Sequence, residues 1–304
     1  MRVLLLTVLA VGAAFSSGAR IVDVRQVRQV PVEGGLPVAR AALSADGSFV
    51  IASEANGNSL RRVDLSTGKT IKIADNGSMS GLQISRDGAT VVFRQNSRDK
   101  RRLTVSSVHA ADLSTGREAA VAAPTRRLQG FALSEAGVVE AVSDGRAMAR
   151  KPGKEAAETT GMPVVGIDRG HLVVTVAGET RVLDPQGRGS YLWPQLSPDG
   201  RHIVYYKVSE GCFVCDTDGM DVRALGYLHA ATWLDNATVV GMQDFDDGTV
   251  TTRSAIVAAR ADGSETQTLT DDDVVALFPT GSFDAGAITF TDNSGALYVM
   301  TISR

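Results

Sequence analysis

Cysteine and histidine provide the most reactive side chains of this sequence, and neither residue type forms a recognised site. Cys212 and Cys215 make one C-x-x-C pair, whereas a zinc site would need two more ligands beside it. Residues three apart on a strand point to opposite faces, so the pair is badly placed for a disulfide, and we predict two buried cysteines. The four histidines occur singly. Because no phosphate loop, H-E-x-x-H or G-x-S-x-G motif is present, we predict that the protein is not an enzyme.

Two acidic turns are the other candidates for chemistry, because calcium takes several oxygen ligands. DTDGMD begins at Asp216 and DFDDG begins at Asp244, and neither has the full ligand pattern of a calcium loop. DTDGMD is typical of a simple hairpin turn. DFDDG, together with the acidic cluster that begins at Asp271, is the better calcium candidate, but our main prediction is that the protein has no cofactor.

A strand–turn–strand motif recurs along the chain and must position these residues. Its fullest form, QLSPDGRHIVYY, begins at Gln195. In it Pro198 presets φ, Asp199 caps the turn and Gly200 takes the left-handed position. Partial copies repeat the turn at intervals of about 40 residues, which for strands alone is typical of a β-propeller blade. The equivalent turn residues are Gly47, Gly88, Gly137, Gly170, Gly200, Ala237 and Gly286.

A second turn falls in the later half of each unit, as in DLSTG, CDTDG and LDPQG. Each unit therefore has four predicted strands, A to D. We predict seven blades, with six as the alternative because the unit at residues 164–192 is short. The last unit lacks an outer strand, and the segment VRQVRQVPV at residues 24–32 is predicted to supply it. That pairing would close the ring and leave few open edges.

These motifs resemble the TolB-type propeller repeat, marked by S-P-D-G between strands A and B and D-x-D-G between strands C and D. The match is complete at residues 197–200 and 216–219 and partial in the other units. Several strings, such as YLWPQLSPDG, also resemble secreted, uncharacterised TolB-like proteins of Gram-negative bacteria. The resemblance implies an all-β propeller over nearly the whole mature chain. It implies little about activity, because this repeat also occurs in peptidase gating domains and polysaccharide lyases.

The N-terminus predicts export from the cytoplasm. Arg2 precedes an apolar run, residues 3–15, and a small-residue segment that ends at Ala19. This is the pattern of a cleaved signal peptide, residues 1–19, although a buried N-terminal helix or strand is the alternative. The apolar run is too short to remain as a membrane span, and no lipobox cysteine follows it. We therefore predict a periplasmic or secreted protein with one propeller domain at residues 20–304 and no membrane span after cleavage.

The charge balance argues against a nucleic-acid partner. The net charge is −3, and loss of Arg2 with the signal peptide makes it more negative. Nucleic-acid-binding domains usually have a basic excess.

Strand direction divides the propeller into two faces. The A–B and C–D turns share one end of the strands, which we call the turn face. The B–C and D–A connections share the other end, the loop face. The loop-face segments are longer and more varied, and such loops commonly carry binding residues. The sequence predicts a basic side in the second unit and an acidic side in the sixth, although charge runs are equally often solvated loop ends.

Aromatic residues near the loop face could stack on a sugar or a peptide. A tryptophan at a strand start more often packs between blades, and we favour that interpretation for Trp193 and Trp233. The candidate binding face comprises Arg94, Arg98, Arg101, Arg102, Arg126, Arg127, Trp193, Tyr206, His229, Asp244, Asp246, Asp247, Asp271 and Asp272.

The sequence thus favours a non-catalytic periplasmic propeller that binds another envelope or periplasmic protein. The alternative is a carbohydrate- or peptide-binding propeller, with a polysaccharide lyase as its catalytic form. A purely structural envelope protein is a third interpretation.

Overall fold

The computed structural model describes residues 20–55, 59–75, 78–152, 157–271 and 273–304. The predicted signal peptide and the candidate Asp272 lie outside these residues. Within the described ranges the chain is all-β, with one short 3-10 helix, Glu33–Gly35. No helix in these ranges is long and apolar enough to span a membrane. The predicted fold class is confirmed.

The chain begins with a single strand and continues as consecutive antiparallel meanders. The first strand is β1 (Asp23–Val30). The first unit contains β2 (Val38–Leu43), β3 (Phe49–Glu54), β4 (Ser59–Asp64) and β5 (Thr70–Asp75). The second contains β6 (Ser78–Ile84), β7 (Thr90–Arg98), β8 (Thr104–Asp112) and β9 (Glu118–Thr125).

The third and fourth units have three strands each among the residues that the structure describes. The third has β10 (Leu128–Leu133), β11 (Val139–Ser143) and β12 (Arg146–Arg150). The fourth has β13 (Val164–Asp168), β14 (His171–Val176) and β15 (Glu179–Val182).

The later units return to four strands. The fifth contains β16 (Tyr191–Leu196), β17 (His202–Lys207), β18 (Gly211–Asp216) and β19 (Arg223–Gly226). The sixth contains β20 (His229–Trp233), β21 (Thr238–Asp246), β22 (Thr251–Arg260) and β23 (Thr266–Thr268). The seventh adds β24 (Leu277–Ser282), β25 (Ala287–Thr291) and β26 (Leu297–Ser303).

The third and fourth units share one six-stranded sheet, in which β10 pairs with β13 at Gly130 and Gly166. A Cβ atom on Gly166 would lie 2.0 Å from the carbonyl oxygen of Gln129. A Cβ atom on Gly130 would lie 2.3 Å from the carbonyl oxygen of Val165. Glycine at both positions therefore permits direct contact between the two inner strands.

This shared sheet corrects the expectation of seven separate four-stranded blades. The described residues form seven meanders, but these meanders make six sheets of the propeller ring, as in the six-blade alternative. The fourth strand predicted after LDPQG does not form among the described residues. Pro185, Gly187 and Gly189 instead lead the chain from β15 directly to β16, and such residues disfavour a strand.

The two chain ends pair in one sheet, as predicted. β1 is the outer strand beside β26, and the sheet order is β1-β26-β25-β24. Their antiparallel register runs from Asp23 opposite Ser303 to Val30 opposite Leu297. The ring is therefore closed by strands from opposite ends of the sequence, which protects both edges.

The A–B turns have the predicted mechanism. In the fifth unit the Ser197 hydroxyl donates to Asp199 Oδ1 at 2.6 Å, and the Gly200 N–H donates to the Ser197 carbonyl at 2.9 Å. Gly200 has φ 72°, a conformation that glycine adopts without steric penalty.

The core lies between neighbouring sheets and is formed mainly by the central strands. Trp233 is 7% exposed, packs with Val204 of the preceding unit and donates from Nε1 to the Gln195 carbonyl at 3.2 Å. Cys212 and Cys215 are buried and not disulfide-bonded. Burial raises the pKa of both thiols to about 12, so they are unreactive thiols at neutral pH. The prediction of buried cysteines and the packing interpretation of Trp233 are confirmed.

Candidate binding face

The loop face is uneven because its hairpins differ in length. β7 and β8 remain paired as far as Arg98, and β21 and β22 as far as Asp246. In the third and fourth units the same connections are two-residue turns, Asp144–Gly145 and Ala177–Gly178, with positive φ throughout. The charged segments of the second and sixth units therefore lie at the tips of the two long hairpins.

The tip of the second-unit hairpin is the basic arm, formed by Arg98, Lys100, Arg101 and Arg102. All four side chains are exposed. Asp99 holds the turn because its Oδ1 accepts the N–H groups of Arg101 and Leu103 at 2.8 and 2.9 Å. The basic arm thus presents its positive charge to solvent from a fixed turn.

The other basic candidates are in different environments. Arg126 is exposed, whereas Arg127 Nη2 donates to Asp168 Oδ2 of the fourth unit at 2.9 Å. Arg94 lies deeper and donates from Nη2 to the Ser106 hydroxyl at 2.7 Å. Desolvation lowers the pKa of Arg94. The structure therefore does not bring all the predicted arginines into one solvated cluster.

The tip of the sixth-unit hairpin is the acidic arm, formed by Asp246 and Asp247. Asp246 Oδ1 accepts the Gly248 N–H at 2.8 Å, and Asp247 Oδ1 accepts the Thr249 N–H at 2.9 Å. Hydrogen bonds from the Val250 and Thr249 N–H groups lower the pKa of Asp247. Asp271 Oδ1 accepts the Asp273 N–H at 3.3 Å. These carboxylates shape their own turns.

Five side chains of the fifth and sixth units form an aromatic patch, defined as Trp193, Tyr206, Tyr227, His229 and Phe245. His229 is central: its ring centroid lies 4.4 Å from that of Tyr206, 4.6 Å from Tyr227 and 5.3 Å from Trp193. Tyr227 continues the patch to Phe245 with a stacked ring at 6.3 Å. The structure therefore brings Trp193, Tyr206 and His229 together, as a binding face requires.

Asp244 fixes the centre of the patch. Its Oδ1 lies 2.7 Å from His229 Nδ1, and both side chains are largely buried. The Tyr227 hydroxyl donates to the Asp244 carbonyl at 3.0 Å. Asp244 thus orients the imidazole and the Tyr227 ring rather than joining the acidic arm.

Trp193 reaches the patch because of a β-bulge in β16. The pairing with β17 shifts between Leu192 and Gln195, and Trp193 has φ 50°. Bulges redirect side chains at strand ends. Trp193 is 45% exposed, so the packing interpretation is wrong for this residue. The sixth and seventh units repeat the bulge with Ala230 at φ 49° and Phe278 at φ 53°.

Comparison with known proteins finds likeness in three-dimensional structure. No protein-family model matches the chain, and no curated protein matches it either. The Swd1 propeller domain of Myceliophteria thermophila aligns at TM-score 0.59 and 12% identity, over 90% of this chain and 99% of that one. A candidate TolB of Agrobacterium tumefaciens aligns at TM-score 0.55 and 16% identity, over 88% and 91% of the two chains.

TolB from Acinetobacter baumannii aligns at TM-score 0.52 and 10% identity, over 90% of this chain and 67% of that one. The chain has the TolB-like propeller fold. These identities establish the fold alone, so the role of the loop face rests on its own side chains.

Each histidine of this TolB-like propeller pairs with a different carboxylate. His109 pairs with Glu118, His171 with Asp184 and His202 with Asp216. These pairs lie away from the aromatic patch. In the part of the chain that the structure describes, no three metal-ligating side chains gather.

Two features of the loop face are missing from the sequence prediction. Phe245 lies beside three acidic residues in DFDDG, and its role becomes visible only when β21 places it next to Tyr227. The second feature is Arg40, whose Cζ lies 3.0 Å from the ring centroid of Phe278. The sequence does contain one signal for the second feature. An aromatic residue precedes a proline at Trp193-Pro194 and at Phe278-Pro279, and these two pairs occupy equivalent bulges.

Proposed function

We propose that this chain is a non-catalytic periplasmic propeller that binds another cell-envelope protein through its loop face. The observation that carries the proposal is the exposed aromatic patch. Trp193 is 45% exposed, Tyr227 42% and Phe245 49%, although each contacts another ring of the patch. Adjacent exposed aromatic rings gain free energy when a partner covers them, and such residues are enriched in interface hot spots.

The shape of the patch supports a macromolecular partner. A cavity of about 420 Å³ lies on the turn face beside His202 and Asp216, away from the patch. A cavity of about 230 Å³ lies between the seventh and first units. Neither of these two cavities includes a patch residue, and the exposed rings of Trp193, Tyr227 and Phe245 form a surface that a macromolecular partner would cover.

The charged arms supply orientation. The basic arm and the acidic arm extend from the same face on different units, so one part of the loop face is positive and another part is negative. A partner with complementary charges would be steered and aligned before the aromatic contacts form. The periplasmic location is carried by the N-terminal sequence, because residues 1–19 have the pattern of a signal peptide.

Site-specific photocrosslinking in the native cell envelope tests the proposal. A photoreactive amino acid replaces Phe245 in one variant and Met220 in a second. Met220 is a matched control because it is an apolar side chain, 67% exposed, in a C–D turn on the opposite face. We expect one discrete protein adduct from position 245 and none from position 220. Equal labelling from both positions, or no protein adduct at 245, would contradict a loop-face protein partner.

The charge hypothesis has its own variant. Replacing Arg101, Arg102, Arg126 and Arg127 together by alanine should weaken the position-245 adduct at low ionic strength. An adduct of unchanged yield would show that the arms are ordinary solvated loop ends.

Carbohydrate or peptide binding is the second candidate function, and it includes the possibility that a bound polysaccharide is cleaved by lyase activity. Trp193 and Tyr206, with centroids 5.8 Å apart, favour it because exposed aromatic faces can stack on sugars. This alternative predicts no protein adduct at position 245 and a rise in melting temperature with oligosaccharide.

A further inference from the structure

Arg40 occupies an unusual position on the loop face, between the first and seventh units. It lies near the start of β2, and its guanidinium covers the ring of Phe278 with Cζ 3.0 Å from the ring centroid. Nη1 donates to the carbonyl of Ala39 at 2.9 Å. The cavity of about 230 Å³ opens beside this pair, with Val38, Ala55 and Leu277 among its apolar walls.

No ion pair among the described residues includes Arg40. Asp292 also lines the cavity, but its oxygens are engaged elsewhere. Oδ1 accepts the N–H groups of Ser294 and Ala296 at 2.8 and 2.9 Å, and Oδ2 accepts the Tyr298 hydroxyl at 3.2 Å.

The residues around Arg40 partly shield its guanidinium from water without forming an ion pair with it. The side chain remains accessible to solvent at the mouth of the cavity, while the walls on either side desolvate it and lower its pKa to about 10. An unpaired, partly desolvated cation gains free energy when an anion binds beside it.

The hydrogen-bonding capacity of Arg40 is largely unused. A guanidinium carries five N–H donors in one plane, and within the described residues the hydrogen bond from Nη1 to the Ala39 carbonyl is the one that this side chain donates. Two parallel N–H groups match the two oxygens of a carboxylate.

We propose that Arg40 and this cavity bind a carboxylate group of a peptide, at a site separate from the aromatic patch. The peptide would belong to the partner of the proposed function, and in that respect the inference rests on it. Pairing between a guanidinium and a carboxylate gives such recognition geometric specificity as well as free energy.

The composition of the cavity favours a peptide over a sugar acid or a phosphate. Arg40 covers one face of Phe278, so that face is not free to stack on a sugar ring. Among the described residues that line the cavity, Arg40 is the one cation, whereas a phosphate group carries up to two negative charges. Small apolar walls beside one guanidinium suit a singly charged carboxylate on a short aliphatic group.

Calorimetric titration of the purified protein tests the site with three probes. These are N-acetyl-trialanine with a free C-terminal carboxylate, the same peptide with an amidated C-terminus, and galacturonate. We expect the free peptide to bind with a millimolar dissociation constant, and the amidated peptide at least about tenfold more weakly. Absence of binding by the free peptide up to about 10 mM, or equal binding of both peptides, would overturn the proposal. Binding of galacturonate alone would assign the site to a sugar acid instead.

Variants connect the binding to Arg40. Arg40→Gln should weaken binding of the free peptide at least about tenfold, and Arg40→Lys should restore part of it, because lysine keeps the charge without the planar fork. Arg146→Gln is the matched control, since it removes an exposed charge beside a loop-face turn of the third unit and should leave the affinity unchanged. Equal losses in Arg40→Gln and Arg146→Gln would show that general charge, not the cavity, binds the peptide. A failed titration with an intact crosslink at position 245 would remove the carboxylate site and leave the proposed function standing.

Discussion

The turn face and the loop face are formed by the same strands, yet their connections have opposite characters. On the turn face, the Ser–Asp hydrogen bond recurs at Ser44, Ser85 and Ser197, with lengths of 2.7, 2.6 and 2.6 Å. On the loop face, hairpin length and side-chain type change from unit to unit. Repetition on one face closes the strand pairs in the same way each time, while variation on the other leaves side chains available for recognition.

The bulge at the loop-face end of strand A shows this difference in one backbone position. The second unit has Gly81 there with φ 63°, and the fifth and seventh units have Trp193 and Phe278 at similar angles. A left-handed conformation costs a non-glycine residue about 1–2 kcal/mol, whereas glycine adopts it freely. The strain is present at Trp193 and Phe278 and also at Ala230 of the sixth unit, so it follows the bulge itself, while the side chain at that position changes from unit to unit.

The largest predicted effect concerns the turn face and compares two equivalent glycines. Gly68 and Gly116 end the DLSTG turns of the first and second units, with φ 72° and 69°. A Cβ atom on Gly68 would lie 1.9 Å from the carbonyl oxygen of Pro31, while a Cβ atom on Gly116 would meet nothing within 4 Å. Gly116→Ala should cost about 1 kcal/mol from backbone strain alone. Gly68→Ala should cost about 3 kcal/mol or more, because the N-terminal segment must also move.

Urea unfolding of both variants, followed by circular dichroism, measures this difference. Neither substitution should change crosslinking from position 245, because both lie on the turn face. Equal losses of stability would mean that the N-terminal segment does not pack tightly on the first unit.

The turn face could be predicted from sequence because its chemistry is local. Ser197, Asp199 and Gly200 make their turn with one another, so the motif alone identifies the hairpin. Ring closure by residues 24–32 could also be predicted, because the last unit visibly lacked a strand. The shared sheet of the third and fourth units could not be predicted. It depends on the pairing of Gly130 with Gly166, which are 36 residues apart in sequence.

The loop face was predicted less completely because its contacts join separate units. Individual residues such as His229 were named from the sequence, but their assembly around Asp244 requires the relative placement of two sheets. Trp193 was misjudged because a bulge, which has no strong sequence signal, turns it outward. Arg40 and Phe278 lie more than two hundred residues apart, and the sequence around each residue does not indicate that they are in contact.

An intermediate effect is predicted on the loop face at Trp193. Trp193→Gly removes two ring contacts and the left-handed strain together, so the free energy of unfolding should change by less than about 1 kcal/mol. Trp193→Ala keeps the strain and should be about 1 kcal/mol less stable than the glycine variant. Both variants should lower the yield of the position-245 adduct at least about tenfold, since a central aromatic contact is lost.

Trp233→Ala is the contrasting control. Trp233 is buried between the fifth and sixth units, and its removal should cost about 3–5 kcal/mol. If Trp193→Gly destabilised the protein as strongly as Trp233→Ala, the Trp193 ring would be a structural element and the contrast between the two faces would fail there.

The smallest predicted effect is a pH dependence on the turn face at Asp112. Hydrogen bonds from the Ser114 side chain and the Thr115 N–H lower the pKa of this carboxyl to about 2. The usual value in an unfolded chain is about 3.9. The folded state therefore favours the ionised form, and the resulting stability is fully present above about pH 4 and is lost as the pH falls toward 2. Because the turn is solvated, the contribution should be about 1 kcal/mol or less.

Asp112→Asn should lower stability by that amount at pH 6, and the difference from the native protein should disappear near pH 2. Ser114→Ala removes the strongest of these hydrogen bonds, so it should move the carboxyl pKa, measured by NMR titration, upward toward its unfolded value. An unchanged pKa in Ser114→Ala would assign the stabilisation of this turn to the backbone alone, and side-chain capping would no longer explain why the turn face is so uniform.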